Sequence, residues 1–207
     1  MSSEDGLWVF GYGSLMWRPG FPHEKASPAI LQGGNRALCV YSHVHRGTRR
    51  HPGLVLGLDA GGRCEGIAFY VPARDANATL NYLRRREQVT NVYRPVRRTV
   101  TLTNEDHREV RALCYMVNRY HRQYAGLLPL EVQERLVRRS RGRSGINIDY
   151  VVNTVRHLRE CGIFDRRLEA LVTRLGQHRR LGGRLRPAEP FTPGEAPPSL
   201  EGLNSGS

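Results

Sequence analysis

Short apolar segments separated by turn residues fill the first half of the chain, a pattern typical of β-strands. Strands are predicted at residues 7–11, 29–44, 54–58, 64–71, 96–103 and 110–118. Gly33 and Gly34, inside the second of these segments, predict a bulge or a bend in that strand. Residues 59–62, with the sequence Asp-Ala-Gly-Gly, predict a hairpin turn between the third and fourth strands.

One helical pattern interrupts the strands. It is predicted to begin at Asp75, a residue type that caps helix N-termini, and its leucines at positions 80 and 83 share one face. The segment Tyr93-Arg94-Pro95 breaks this pattern, because proline lacks the amide hydrogen that a helix needs. The helix therefore lies between the fourth and fifth predicted strands.

The last third of the chain has helical spacing. Helices are predicted near Pro129, after the glycine-bounded residues 141–145, and over residues 164–181. The buried face of the third helix is predicted from four apolar residues, Phe164, Leu168, Leu171 and Leu175. Strands that come first and helices that come last indicate an α+β fold, in which the short strands could curl into a small barrel.

Composition divides the 207 residues into one domain and two short extensions. Residues 1–6 are expected to form an N-terminal arm and residues 7–186 the domain. Proline, glycine and serine dominate residues 187–207, which predicts a disordered tail.

The charge of the chain is strongly biased towards arginine. The formal net charge is +13 at pH 7, and Lys25 is the single lysine among 32 basic residues. Such a field attracts anions and opposes self-association, so a monomer is favoured. The anion could be a small substrate, or a nucleic acid bound by an arginine-rich module. Because the arginines are spread along the chain instead of clustered, a genome that favours arginine codons over lysine codons is the favoured explanation of this bias, and nucleic-acid binding is the weaker hypothesis.

Membrane and secretion signals are absent from the sequence. No apolar run approaches the roughly 20 residues that a membrane span requires. The N-terminus lacks a basic segment followed by an apolar one. The four cysteines, Cys39, Cys64, Cys114 and Cys161, show no C-x-x-C spacing and are each predicted to be small core residues. A cytoplasmic location is expected.

The turn after the first strand is the first candidate for chemistry. Two glycines flank Tyr12, and Ser14 and Leu15 follow. Glycines permit backbone turns that aim successive N–H groups into one concavity, which can bind a carboxylate or a phosphate. The dinucleotide fingerprint is not satisfied, because Met16 occupies its third glycine position. The pattern alone leaves open an anion-binding nest or a simple tight turn.

Glu87 is the second candidate. It lies three and four positions along the same helical face as Leu80 and Leu83, so the helix presents a carboxylate on its buried side. Partial burial raises the pKa of a carboxyl group, which suits a general base or acid. The alternative is a helix-end glutamate that pairs with an arginine such as Arg94.

A metal site was considered at His43 and His45, which share one face of a strand. The residues next to them are arginines, which repel cations, and no acidic ligand lies nearby in the sequence. No metal is therefore expected there.

Four segments in order make the chain resemble the ChaC family of glutathione-specific γ-glutamylcyclotransferases. The segments are residues 8–17 with the sequence WVFGYGSLMW, residues 45–48 (HRGT) followed by Pro52-Gly53, Tyr82-Leu83 followed by Arg86-Glu87, and residues 142–145 (GRSG) leading to Asn147 and Tyr150. The resemblance covers roughly residues 7–180. It departs after Glu87, where six residues ending in Tyr93 stand in place of an early Gly-Gly-Tyr.

The resemblance implies a small mixed β-barrel flanked by helices, cytosolic action and no cofactor. The implied reaction is intramolecular: the α-amine of a γ-glutamyl group attacks its own γ-amide and releases 5-oxoproline, with Cys-Gly as the leaving group of glutathione.

The resemblance also implies a role for each candidate residue. The N–H groups of Gly13, Ser14 and Leu15 would hold the substrate α-carboxylate, with Tyr12 beginning the motif. Glu87 would be the proton acceptor and donor. Two further implied substrate-binding residues are Tyr150, which would line the pocket, and Arg46, which would bind the glycine carboxylate or brace its loop.

Other functions are kept as alternatives. The same chemistry could serve other γ-glutamyl peptides or γ-glutamyl amines. The fold could instead be a non-catalytic scaffold that regulates a transporter, or the arginine-rich chain could bind nucleic acid, with an affinity that falls steeply with salt.

Overall fold

A computed structural model describes residues 6–87, 90–104 and 107–177. Within them, five strands close a barrel in the order β1-β3-β2-β4-β5, with β1 parallel to β5 and the other neighbours antiparallel. The strands are β1 (Leu7–Gly11), β2 (Lys25–Ser42), β3 (Gly53–Val71), β4 (Tyr93–Leu102) and β5 (Glu109–Val117). The predicted mixed barrel is confirmed.

The predicted hairpin at residues 59–62 is wrong, because these residues lie inside β3. Strand β2 pairs with β3 along nearly its whole length, from Lys25 opposite Tyr70 to Ser42 opposite Gly53. The glycines at positions 61 and 62 have φ values of +93° and +76°, and they face a register shift around Gly33, where φ is +76°. These glycines let two long strands bend together without a break.

Four helices occur among the described residues. They are α1 (Ala73–Glu87), α2 (Leu130–Arg139), α3 (Asn147–Glu160) and α4 (Arg166–Gln177), and a two-residue hairpin, β6 (Arg141–Gly142) and β7 (Gly145–Ile146), precedes α3. Helix α1 covers the barrel wall around Val9, Phe69 and Tyr115. Helices α2, α3 and α4 pack against one another and share the larger core with the barrel.

Two predicted helix features need correction. Asp75 lies inside the first turn of α1 and does not cap it, because the helix begins at Ala73 directly after Pro72. Phe164 is 68% exposed and precedes α4, whereas Leu168, Leu171 and Leu175 are buried as predicted.

Strand β4 begins earlier than predicted. Tyr93 and Pro95 break the helical pattern and precede the strand predicted at residues 96–103. In the structure they belong to that strand, where they pair with Val117 and Tyr115 of β5. Proline is tolerated in this strand because only the β5 side is paired there, while β2 joins β4 further along, at residues 100–102. The earlier start makes Tyr93 a strand residue beside the end of α1.

Side chains complete the edge of β3 at Leu54 and Leu56. In the described part of the chain, no strand pairs with these two residues on the side away from β2. The Asn147 side chain accepts a hydrogen bond from the Leu54 N–H at 2.7 Å and donates to the Leu54 carbonyl at 2.8 Å. The Leu56 N–H donates to the Tyr150 hydroxyl at 3.0 Å, and the Tyr93 hydroxyl donates to the Leu56 carbonyl at 2.7 Å. Helix α3 is thereby docked on β3.

Three of the four cysteines are buried, as predicted. Cys161 is exposed, because it follows the last residue of α3 at the surface, so the prediction of a core residue is wrong there. The predicted tail at 187–207 and the last part of the predicted helix at 164–181 lie outside the described residues. No described helix is both long and apolar enough to cross a membrane.

Replacing Asn147 with alanine is expected to destabilise the protein by about 2–4 kcal/mol, because two buried backbone groups of Leu54 lose their partners. Ser140→Ala is the control, since it removes only the hydroxyl that donates to Leu136 and Asn147. Urea unfolding of both variants measures the difference. Equal losses for the two would contradict this account of the β3 edge.

Candidate active site

The glycine-containing turn directly follows β1. Residues Ser14–Met16 form a short 3-10 helix, whose first hydrogen bond runs from the Met16 N–H to the Gly13 carbonyl at 2.9 Å. The N–H groups of Gly13, Ser14 and Leu15 precede this bond, so the turn itself does not use them.

A buried arginine holds the back of this turn. Arg36 on β2 is 6% exposed, and its Nε donates to the Tyr12 carbonyl at 2.6 Å. The N–H and C=O of a trans peptide point in opposite directions, so this bond turns the Gly13 N–H away from Arg36. Asp165, which precedes α4, lies 3.6 Å from Arg36 Nη1 and balances the buried charge. Arg36 was not among the predicted site residues; its only signal in the sequence is that it is the one arginine inside the strand predicted at residues 29–44.

A cavity of about 100 Å³ lies between the turn, the end of α1 and the edge of β3. Its walls include six predicted site residues, Tyr12, Gly13, Ser14, Leu15, Glu87 and Tyr150. Four further wall residues were not predicted, namely Val55, Leu56, Tyr93 and Tyr115. The cavity therefore brings together segments that lie far apart in the sequence.

Among the described residues, Glu87 is the only carboxylate of this cavity wall, and it lies at the C-terminal end of α1. Its side chain is 17% exposed, and burial raises the pKa of the carboxyl group. The neighbouring Arg86, whose Nε lies 3.2 Å from Glu87 Oε1, partly opposes this increase. Glu87 is thus a helix-end glutamate that pairs with a neighbouring arginine, as the alternative interpretation expected. Among the described residues that arginine is Arg86 and not Arg94.

Four tyrosines surround Glu87. Burial raises the pKa of Tyr12, Tyr93 and Tyr150, and it raises the pKa of Tyr115 to about 12. All four hydroxyls therefore stay protonated near neutral pH. The cavity offers neutral hydrogen-bonding groups around one titratable carboxylate.

Arg46 lies beside this cavity and is not part of its wall. Its guanidinium carbon is 5.3 Å from the centre of the Tyr150 ring, and its Nη1 donates to the Ser144 carbonyl. Burial lowers the pKa of Arg46. These contacts hold Arg46, which lies in the loop between β2 and β3, against the β6–β7 hairpin and the Tyr150 ring.

No metal-binding group is found in the ranges that the structure describes: no three His, Cys, Asp or Glu side chains lie together there. His43 and His45, the pair expected on one face of a strand, follow the last residue of β2, Ser42. The Nδ1 atom of His45 lies 3.0 Å from the Ser144 hydroxyl.

The overall fold has a close structural counterpart. A solved structure from yeast, described as a γ-glutamyl cyclotransferase specific to glutathione, matches with a TM-score of 0.75. The match covers 86% of this chain and 99% of the yeast chain at 23% sequence identity, and it supports the same barrel and helices.

Sequence relatives extend over the same region. The glutathione-specific γ-glutamylcyclotransferase of Escherichia coli (strain K12) is 32% identical over 169 residues, covering 82% of this chain and 72% of the relative. The glutathione-specific γ-glutamylcyclotransferase 1 of Homo sapiens is 31% identical over 174 residues, covering 82% and 78%. A family model described as ChaC-like protein matches residues 7–178. The chain therefore belongs to the ChaC family of γ-glutamylcyclotransferases.

Proposed function

We propose that this protein converts glutathione into 5-oxoproline and Cys-Gly. The observation that carries the proposal is the single cavity that is lined by both the partly buried Glu87 carboxylate and the glycine-containing turn. The E. coli and human relatives are glutathione-specific γ-glutamylcyclotransferases, which supports the choice of glutathione as substrate.

The substrate α-carboxylate binds in front of the turn. The N–H groups of Gly13, Ser14 and Leu15 donate to it, as backbone groups do in other anion-binding concavities. Arg36 contributes from behind, because its bond to the Tyr12 carbonyl fixes the direction of the Gly13 N–H. Binding this end of the substrate places the α-ammonium within reach of Glu87.

Glu87 then moves protons. It accepts one from the α-ammonium, and the freed amine attacks the γ-carbonyl carbon and forms the ring C–N bond. The carboxyl proton passes to the leaving nitrogen as the amide C–N bond breaks. The ring nitrogen gives its second proton to the departing amine, so no proton is consumed overall. Acid–base help of this kind contributes roughly 10²–10⁴ in rate.

The Tyr150 hydroxyl stabilises the charge that develops on the γ-carbonyl oxygen. The Tyr150 hydroxyl accepts a hydrogen bond from the Leu56 N–H and is also hydrogen-bonded to Thr154. Its own proton is proposed to be donated to the γ-carbonyl oxygen. A preorganised neutral donor suits an oxyanion, because it needs no rearrangement when charge appears. Tyr150 is therefore proposed as a substrate-binding residue that acts at this oxygen, and Tyr12 as part of the same wall.

The cavity is smaller than the roughly 300–1,000 Å³ of pockets that enclose drug-sized ligands. The γ-glutamyl group enters it, and the dipeptide part extends outwards. Arg46, next to the Tyr150 ring, is proposed to brace the loop at this rim. The positive charge of the chain helps to attract a tripeptide that is net negative.

Incubation of the purified protein with glutathione tests the proposal. Mass spectrometry should detect 5-oxoproline and free Cys-Gly in equal amounts. Competition between glutathione and γ-glutamyl-alanine measures how far the activity depends on the leaving group. Absence of 5-oxoproline with every γ-glutamyl compound would refute the proposed function.

Glu87→Gln is expected to lower kcat by about 10²–10⁴, because the amide cannot accept the ammonium proton. Glu109→Gln, which changes an exposed glutamate on β5, serves as the control and should retain full activity. In the native protein, kcat/KM should fall as Glu87 becomes protonated, at a pH above the ordinary glutamate range. A native acid limb within that ordinary range would count against a buried base.

The same Glu87→Gln variant should be at least as stable as the native protein at pH 8. Since burial raises the pKa of Glu87 in the folded state, the folded state binds this proton more tightly than the unfolded state does. The native protein therefore loses stability as pH rises through the folded-state pKa, and the amide variant does not. Thermal unfolding at several pH values should show the two curves converging below the ordinary glutamate range, whereas a constant difference would exclude this linkage.

Substitution of Gly13 is expected to raise KM in proportion to side-chain size. A Cβ at this position would lie 3.4 Å from Leu56 Cδ1, so alanine fits at ordinary contact distance. The two methyl groups of valine would occupy space in the cavity in front of the turn. Gly13→Val should raise KM at least about tenfold, equivalent to about 1.4 kcal/mol of binding, and Gly13→Ala much less. Unchanged KM for the valine variant would remove the turn from substrate binding.

A further inference from the structure

The Arg86 guanidinium joins the segments that surround the cavity. Its Nη2 donates to the Ser14 hydroxyl at 3.0 Å, and its Nε lies 3.2 Å from the Glu87 carboxylate. Its Nη1 donates to the Arg18 carbonyl at 2.6 Å and to the Tyr82 hydroxyl at 2.8 Å. One planar, rigid group therefore contacts both ends of the turn and the carboxylate.

Arg86 contacts both residues of a second backbone hydrogen bond in the turn, which joins Ser14 and Arg18. The Arg18 N–H donates to the Ser14 carbonyl at 2.8 Å, and Arg86 binds the side chain of one partner and the carbonyl of the other. The following segment also packs tightly on α1: Gly20 has a φ of +71°, and any side chain there would collide with the Tyr82 hydroxyl. The turn is thus held against α1 by Tyr82 and Arg86.

Arg86 differs from its neighbour on the helix. Its side chain is 23% exposed, whereas Arg85 is exposed and forms no ion pair among the described residues. A general effect of positive charge on α1 would apply to both arginines. Only Arg86 has the geometry to act on the turn and on Glu87 together.

We propose that Arg86 is a positioning residue, which holds the substrate-binding turn and the Glu87 carboxylate at one fixed separation. This inference rests on the proposed function. The substrate bridges the two groups, with its α-carboxylate on the turn and its α-ammonium on Glu87. A change in their separation would therefore weaken both interactions at once, and a misplacement of about 1 Å can cost about 100-fold in rate.

The charge of Arg86 has a second, separable effect. The titratable groups that face Glu87 from the other elements are Tyr12, Tyr93, Tyr115 and Tyr150, whose raised pKa values keep them neutral. Among the described residues, Arg86 is the cation that opposes the effect of burial on the pKa of Glu87. Loss of this charge should raise the pKa of Glu87 further.

Three variants of the full chain separate geometry from charge: Arg86→Gln, Arg86→Lys and the matched control Arg85→Gln. Kinetics with glutathione across about pH 5 to 9 give kcat, KM and the acid limb of kcat/KM. A ¹³C NMR titration of the Glu87 carboxyl in the substrate-free protein gives its pKa without any need for activity.

Arg86→Gln should lower kcat/KM about 100-fold and move both the acid limb and the Glu87 titration to higher pH. Arg86→Lys should leave the acid limb in place but still lower kcat/KM, because an ammonium group cannot reproduce the planar fork of donors. Arg85→Gln should match the native protein in all three measurements.

Two results would overturn the inference. One is native kcat/KM in Arg86→Gln; the other is a loss of rate with an unmoved acid limb and an unmoved Glu87 titration, which would leave Arg86 a purely structural contact. Failure of the proposed function has a different signature, since the native protein itself would then produce no 5-oxoproline. In that case the NMR titration would still decide whether Arg86 controls Glu87.

Discussion

The unpaired edge of β3 at Leu54 and Leu56 determines how the rest of the site is built. Buried N–H and C=O groups must find partners, since an unsatisfied group costs about 1–3 kcal/mol. No described strand reaches this edge, and the partners are side chains of Asn147, Tyr150 and Tyr93. Because these side chains come from α3 and β4, satisfying the edge also brings two tyrosines to the cavity. Tyr93 and Tyr150 therefore both complete the edge of the barrel and line the site.

Charge is distributed around the cavity according to a related constraint. Partial burial of a carboxylate costs free energy of desolvation, and a nearby cation reduces this cost. For Glu87 that cation is Arg86. Arg36 supplies another cation, but it lies behind the turn and acts through the Tyr12 carbonyl. Neither guanidinium is part of the cavity wall, so Glu87 is the one charged group among the described residues that line the cavity. Arg36 and Arg86 thus contact residues of the cavity wall without being part of it.

Local patterns were enough to predict much of this arrangement. The limits of β1, the glycine-containing turn and the inward face of Glu87 all depend on residues close together in sequence, and the structure agrees with each. Tyr93 and Arg36 could not be found that way. Tyr93 is the first residue of the segment that breaks the helical pattern before Pro95, and only its pairing with Val117 makes it a strand residue. Arg36 contributes through its hydrogen bond to the Tyr12 carbonyl, and Tyr12 lies 24 positions earlier in the chain. The false hairpin at residues 59–62 has the same origin, since a glycine pair permits a bulge as readily as a turn.

A reaction within one substrate explains why so little machinery is sufficient. The nucleophile and the carbonyl belong to one γ-glutamyl chain, so the protein must fold that chain and move protons between two nitrogens. In the proposed mechanism the proton carrier must lie close to both nitrogens, and Glu87, at the end of α1 and in the cavity wall, is the group proposed for this role. The separation between Glu87 and the turn then affects both substrate contacts at once. Arg86, which contacts both groups, is proposed to fix that separation, whereas Arg36 holds the turn alone.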